Sequence, residues 1–250
     1  MLEVEGLTKF FGGLEAVSGV SMSMKPEEIV GLIGPNGAGK TTLFNLVSGV
    51  FRPTKGRVIF EGTDITAQKP HHIAKKGIVR TFQATNIYPN FTVLENVVLS
   101  CHLKPGVGLL ETVLHTAGSR RKEKDILHRS RTILTLVGLD RMADVLARTL
   151  AHGYKRILGI AIALAAEPKL LLLDEPLGGM NGEEVSETMG LIRRLWQSGI
   201  TILLIEHNMR ATMNLCQRIV VLNLGRKIAE GSPAEIQGNS EVIRAYLGAG

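Results

Sequence analysis

The feature that most constrains this chain is the octapeptide Gly34-Pro35-Asn36-Gly37-Ala38-Gly39-Lys40-Thr41. It follows G-x-x-x-x-G-K-[ST] in full, with the apolar run Ile29–Ile33 before it and a helix opening near Thr41 after it. Glycines in such a turn let the backbone curl so that N–H groups point inward at phosphate oxygens. The following helix N-terminus adds partial positive charge. Lys40 is then expected to reach the β- and γ-phosphates of a nucleoside triphosphate, with the Thr41 hydroxyl on Mg²⁺. Thr42 is expected to add a phosphate contact.

A second pattern fits the first. Leu170-Leu171-Leu172-Leu173-Asp174-Glu175 sets two carboxylates at the C-terminal end of an apolar strand. Ligands of open α/β sheets bind at that end. Asp174 suits a Mg²⁺ contact through water. Glu175 suits a general base that polarises an attacking water. Strand ends often carry acids, so the pair gains its meaning from the phosphate loop upstream.

The remaining chain divides into three zones. Val4–Leu7, Val17–Met22, Ile29–Ile33 and Val58–Phe60 are strand-like. From about Asn90 to Ala165 the pattern is helical: Ile126, Ile133, Leu134 and Val137 recur at helical spacing, and Gly138 supplies a stop. Thereafter strand and helix alternate: Lys169–Leu173, Glu183–Gln197, Ile200–Ile205, Asn208–Cys216 and Ile219–Leu222, then a turn at Gly225–Arg226 leading into Lys227–Ala229. Continuous apolar strands suit a parallel sheet covered on both faces. The expectation is an α/β core with an inserted helical subdomain, about 1–89 and 166–250 forming the core and about 90–165 the insertion.

Composition excludes other classes. With 44% hydrophobic residues in 250, the chain has apolar surface enough to fold, unlike a disordered sequence. Its most apolar stretch, Ile157–Leu173, is cut by Glu167, Pro168 and Lys169, so no membrane span of about 20 residues is expected. Cys101 and Cys216 lie far apart with no metal-ligand spacing and fit a reducing compartment. The net charge of +6 is compatible with nucleic acid, a membrane surface or nucleotide phosphates. Only 4% of residues are aromatic, which argues against a stacking platform for single strands. Much of the excess lies in Arg120, Arg121, Lys122, Lys124, Arg129 and Arg131, read as a solvated helix face.

With these motifs in order, the sequence resembles the ATP-binding subunits of ABC transporters over nearly its whole length. The resemblance implies a P-loop NTPase core with a mostly parallel sheet, N-terminal antiparallel strands and a helical subdomain. It implies that Phe11, before Gly12-Gly13, stacks on adenine. Gln83 in Arg80-Thr81-Phe82-Gln83 matches a glutamine that senses Mg²⁺ and water and couples to the membrane partner. His207 matches the histidine that contacts the γ-phosphate, and Gly179-Met180-Asn181 matches the D-loop. The signature L-S-G-G-Q corresponds to Leu150-Ala151-His152-Gly153-Tyr154. Here the serine hydroxyl is absent, although Ala151 and Gly153 keep backbone donors for ATP of the opposite subunit. Ile157, Gly159 and Ile162 replace residues that are often polar in the family.

Within the family, Arg80–Gln83, Pro89–Asn96, Glu206–Met209 and the ending Val242–Gly248 resemble the larger ATPase of branched-chain amino acid uptake systems. The implied protein is a Mg²⁺-dependent ATPase at the cytoplasmic face of a membrane. Its implied partners are a second ATPase subunit, like or unlike itself, permease subunits and, indirectly, a solute-binding protein, with no nucleic acid. Two alternatives are a nucleotide-gated module of weak hydrolysis that needs a different ATPase partner, and the ATPase of a lipopolysaccharide-type exporter. The Thr-Phe-Gln segment argues against the exporter.

Overall fold

The computed structural model describes residues 1–81, 87–102 and 117–247, with main chain alone for 117–121. Two sheets form the frame. The six-stranded sheet holds β3 (Ile29–Ile33), β6 (Ile78–Arg80), β7 (Leu170–Asp174), β8 (Thr201–Ile205), β9 (Arg218–Asn223) and β10 (Arg226–Gly231) in the order β10-β9-β3-β8-β7-β6. Its pairs are parallel except β9 with β10. The other sheet is antiparallel, with β1 (Leu2–Phe11), β2 (Leu14–Met24), β4 (Lys55–Phe60) and β5 (Thr63–Asp64) in the order β2-β1-β4-β5.

Every residue of β3, β7 and β8 is buried, which explains their unbroken apolar sequences. Alternate residues of these strands feed two cores, because side chains of a strand point to opposite faces. Val30, Leu32, Leu170, Leu172, Leu203 and Ile205 pack with the antiparallel sheet and with α1 (Lys40–Val47). Ile29, Ile33, Leu171, Leu173, Ile202 and Leu204 pack on the other side. That second core draws residues from α3 (Val93–His102), α4 (Ala117–Val137), α5 (His152–Leu164) and α6 (Gly182–Gln197).

The insertion is helical, and α4 and α5 are separated by turns and two short 3-10 segments, Asp140–Met142 and Ala147–Thr149. Gly138 ends α4 with φ +77°. Asn96, fully buried, organises the entry to α3: its Oδ1 accepts from the Tyr88 N–H at 2.8 Å, and its Nδ2 donates to the Thr92 carbonyl at 2.8 Å. On α4, Lys122, Lys124 and Arg131 are exposed. Arg129 departs from the solvated-face expectation, because it donates to the Ala165 carbonyl at 2.7 Å and pairs with Glu167. The Arg120 and Arg121 side chains lie outside the described residues.

Several short elements escape the sequence patterns. They are α2 (Pro70–Lys76), which starts on its proline, β6, and the terminal helices α8 (Pro233–Gly238) and α9 (Ser240–Leu247). The helix expected at Asn208–Cys216 is α7 (Met209–Leu215), with Asn208 as its cap. Among the described residues, no helix is long and apolar enough to cross a membrane.

Candidate active site

The phosphate loop joins β3 to α1 at the C-terminal edge of the parallel strands. Its shape is enforced by close contacts. Gly34 has φ +151°, and a Cβ there would stand 2.1 Å from the Leu222 carbonyl oxygen. Gly39 has φ +98°, and its Cβ would meet the Ala16 carbonyl at 2.6 Å. Only glycine fits either position. The loop is also fastened from outside: the Gly225 N–H donates to the Ala38 carbonyl at 3.0 Å.

Gly39 caps α1 without a side chain, and the first turn carries no acid. By contrast, α6 closes its own start with an Asn181–Glu184 capping box. The N–H groups of α1 are therefore left for a ligand. Lys40 is almost fully buried, and its Nζ donates to the carbonyls of Gly34 at 2.7 Å and Pro35 at 2.9 Å. Burial lowers its pKa, and the nearby charges of Glu175 and Asp174 oppose that shift.

The acidic pair ends β7. Asp174 is buried and paired with Arg80 of β6 at 2.7 Å. Arg80 also donates to Asn45 Oδ1 of α1 at 2.5 Å and lies over the Phe44 ring. Glu175 has φ +48°, a left-handed conformation uncommon for a side-chain-bearing residue. Its N–H donates to the Ile205 carbonyl at 2.9 Å, and its Oε1 lies 2.8 Å from His207 Nε2. Thus two residues 32 positions apart meet across adjacent strands.

His207 is set by a residue that the sequence patterns do not single out. Glu206 is 4% exposed. One carboxylate oxygen accepts from the Leu177 N–H at 2.7 Å, and the other accepts from the His207 N–H at 3.0 Å. This carboxylate joins the turn after β8 to the turn after β7. A charged residue directly following a buried apolar strand was the available signal.

A cleft of about 560 Å³ opens over these groups. It is lined by Asn36 to Thr42, Glu175 and His207, together with Phe11, Leu14 and Leu224. Phe11 is partly exposed and meets Phe51 edge to face at 5.1 Å between ring centroids, with Lys9 Nζ 5.1 Å from its ring. A half-open aromatic at the rim suits a flat base. Neither Ala151 nor Gly153 borders this cleft. They stand at the start of α5, where Ala151 is the cap and has no side-chain cap bond. Gln83 lies outside the described residues.

The residues fit a magnesium nucleotide. Among the described residues, no group of three His, Cys, Asp or Glu is placed to hold a metal by itself. Mg²⁺ is ordinarily held by one or two protein groups together with phosphate oxygens. The Thr41 hydroxyl and the Asp174 carboxylate are such groups.

Comparison with known proteins identifies the family. The sequence profile described as "ABC transporter" matches residues 17–178, and that of "Branched-chain amino acid ATP-binding cassette transporter" matches residues 226–250. The chain is 41% identical to the high-affinity branched-chain amino acid transport ATP-binding protein BraF of Pseudomonas aeruginosa, over 99% of this chain and 98% of that protein. It is 42% identical to LivG of Escherichia coli K12, which bears the same description, over the same shares. It is 35% identical to the lipopolysaccharide export ATP-binding protein LptB of Haemophilus influenzae, over 99% of this chain and 97% of that one. Among solved structures, an ABC transporter cassette in its ADP conformation superposes with TM-score 0.87 and 32% identity, covering 99% of this chain and 98% of its own. A dimeric cassette bound to ADP and Pi gives TM-score 0.77 and 25% identity, covering 93% of this chain and 99% of its own. Full-length identity, the nucleotide fold and the phosphate cradle agree, and the chain belongs to the ABC transporter family as one of its ATP-binding cassettes.

Proposed function

We propose that this chain hydrolyses Mg²⁺-ATP to drive uptake of branched-chain amino acids, or of a related small polar solute, through membrane permease subunits. The observation that carries the hydrolytic reading is the convergence of Lys40, Glu175 and His207 around one cleft, with the buried Asp174 carboxylate near enough to act on the Lys40 charge. Support for the solute comes from the C-terminal profile match and from the full-length similarity to BraF and LivG.

In this reading the adenine lies against Phe11, and the phosphates lie in the loop from Gly34 to Thr42. Thr41 and Asp174 would hold Mg²⁺, which would supply neutralising charge to the phosphates. Lys40 leaves the carbonyls of Gly34 and Pro35 and turns to phosphate oxygens. Glu175 accepts the proton of the attacking water as oxygen joins the γ-phosphorus and the bond to the ADP oxygen breaks. His207, hydrogen-bonded to Glu175, steadies that carboxylate and faces the γ-phosphate. Most of the rate gain is positioning and electrostatics. Ala151 and Gly153 contribute to the site of a second cassette, which matches their place outside this cleft.

A groove of about 270 Å³ between α2, β6 and α5 is lined mainly by apolar residues, including Ile78, Ile87, Ile162 and Ala163. It lies beside Thr81, just before the segment that holds Gln83. In this reading a coupling helix of the permease docks there, and the chain works as a peripheral subunit at the cytoplasmic face. The core comprises about 1–89 and 166–250, and the helical unit about 90–165.

The deciding experiment is steady-state Mg²⁺-ATPase activity against protein concentration, with Glu175→Gln beside the wild type. A rate per subunit that climbs with concentration marks a self-sufficient dimer. Glu175→Gln should keep ATP binding and lose about 10²–10⁴-fold in turnover; unchanged turnover sinks the assignment of the base. A second reading draws on the altered signature, where Ala151 offers no hydroxyl to cap α5. It predicts tight ATP binding with turnover only after a different cassette is added.

A further inference from the structure

The signature helix is bonded to the main chain of Glu175, the proposed base of its own subunit. Arg156 stands one turn inside α5. Its Nη1 donates to the Glu175 carbonyl oxygen in a short hydrogen bond, and its Nε donates to His152 Nε2 at 3.3 Å. The guanidinium covers Gly178: a Cβ there would lie 2.8 Å from Nη2. The His152 ring covers Gly179 in the same way, with Cδ2 3.1 Å from a Cβ built there. The two glycines leave room for the arginine and histidine to reach the backbone after β7.

Glu175 needs such a restraint. Its φ of +48° is a conformation that persists only where the surroundings over-determine it. The carbonyl that Arg156 grips also accepts from the Gly178 N–H at 3.2 Å. Peptide planes are rigid; with the Glu175 N–H held by the Ile205 carbonyl and its own carbonyl held by Arg156, both planes flanking its Cα are fixed, and so is the direction in which its side chain leaves the backbone. Arginine suits the task because its planar fork carries several donors in fixed geometry and stays charged. His152 accepts at one edge of that fork and sets its rotation.

We infer that Arg156, oriented by His152, is a positioning residue that aims Glu175 at the attacking water. Because Arg156 and His152 belong to the first turn and a half of α5, displacement of that helix start is carried to Glu175. Engagement of α5 by nucleotide on the opposite cassette is thereby linked to the base of the home site. The inference rests on the proposed role of Glu175.

Turnover, affinity for a fluorescent ATP analogue and thermal stability would be measured for the full chain and for Arg156→Ala, Arg156→Lys and His152→Ala. Misplacing a catalytic group by about 1 Å costs about 100-fold. Arg156→Ala is therefore expected to lose roughly 10- to 100-fold in kcat, with ATP affinity unchanged because the phosphate loop is untouched. Arg156→Lys keeps one donor and should recover part of the loss, and His152→Ala should lose less than either. Unaltered kcat in both Arg156 variants, or a fall that only follows affinity or melting temperature, overturns the inference. If the wild-type chain shows no turnover by itself, the ATPase reading of the isolated chain has failed separately. Hydrogen exchange then decides the inference alone. The Glu175 and Gly178 amides should exchange about tenfold faster or more in Arg156→Ala, with the amides of Gly34 to Lys40 unchanged; equal rates at Glu175 and Gly178 overturn it.

Discussion

Among the helices that begin without a side-chain cap or an acid in the first turn, α1 and α5 are held in opposite ways. The start of α1 is moulded by backbone packed closely around it. Gly34 and Gly39 stand against the carbonyls of Leu222 and Ala16 with no room for a methyl group. The start of α5 is held by side chains: Arg156 and His152 reach the turn after β7, and Glu184 lies 3.0 Å from where a Cβ on Gly153 would sit. One turn is confined by main chain that cannot yield. The other takes its position from a neighbouring turn and can move with it. A loop that cradles phosphate is served by the first arrangement, and the contact proposed between α5 and a second cassette is served by the second.

Alanine substitutions test this contrast most directly. Gly34→Ala should cost about 4 kcal/mol or more of stability and abolish ATP binding, since its Cβ would collide with fixed backbone. Urea unfolding measures the first effect and analogue binding the second. An intact, ATP-binding variant would mean that the loop yields, and the contrast would collapse.

Next in size is Arg80→Ala. The Arg80–Asp174 pair is nearly inaccessible to water, with the two side chains 8% and 6% exposed. Removing one partner of a buried pair leaves an uncompensated charge, which costs about 3–5 kcal/mol. The same urea titration applies. The double variant Arg80→Ala, Asp174→Ala should be more stable than Arg80→Ala alone, and a lower value would show that the strain lies elsewhere.

Gly153→Ala should have the smallest effect. Its φ is not positive, and the nearest atom is the end of the flexible Glu184 side chain. A methyl group there favours the helix by about 0.5–1 kcal/mol and disturbs the α6 capping box by a similar amount. The melting temperature should hardly move. A loss as large as that of Gly34→Ala would mean that both helix starts are moulded alike.

The same division explains what could be read from sequence. The phosphate loop is legible because its geometry is local: eight consecutive residues contain the turn, the glycines and the lysine. The buried strands are legible because each is a run of four or five apolar residues. Arg80 gave no such sign. It ends a three-residue strand, and its partner Asp174 lies 94 positions away. Arg156 looks like any basic residue on a helix until the fold brings the Glu175 carbonyl to it. Glu206 is acidic, yet buried and saturated with backbone donors, and its place directly after an apolar strand is the one hint of that in the sequence. Even His207 needed the order of motifs for its reading, because its carboxylate partner is supplied by another strand.

The turn that follows β9 has a mechanical consequence. Gly225 gives its N–H to the Ala38 carbonyl of the phosphate loop and takes the Ser18 N–H on its own carbonyl at 2.8 Å. One residue thus pins together the parallel sheet, the antiparallel sheet and the nucleotide cradle. A rocking of one layer over the other has its fulcrum there. Whatever bends the antiparallel sheet is therefore felt first at the rear wall of the phosphate pocket.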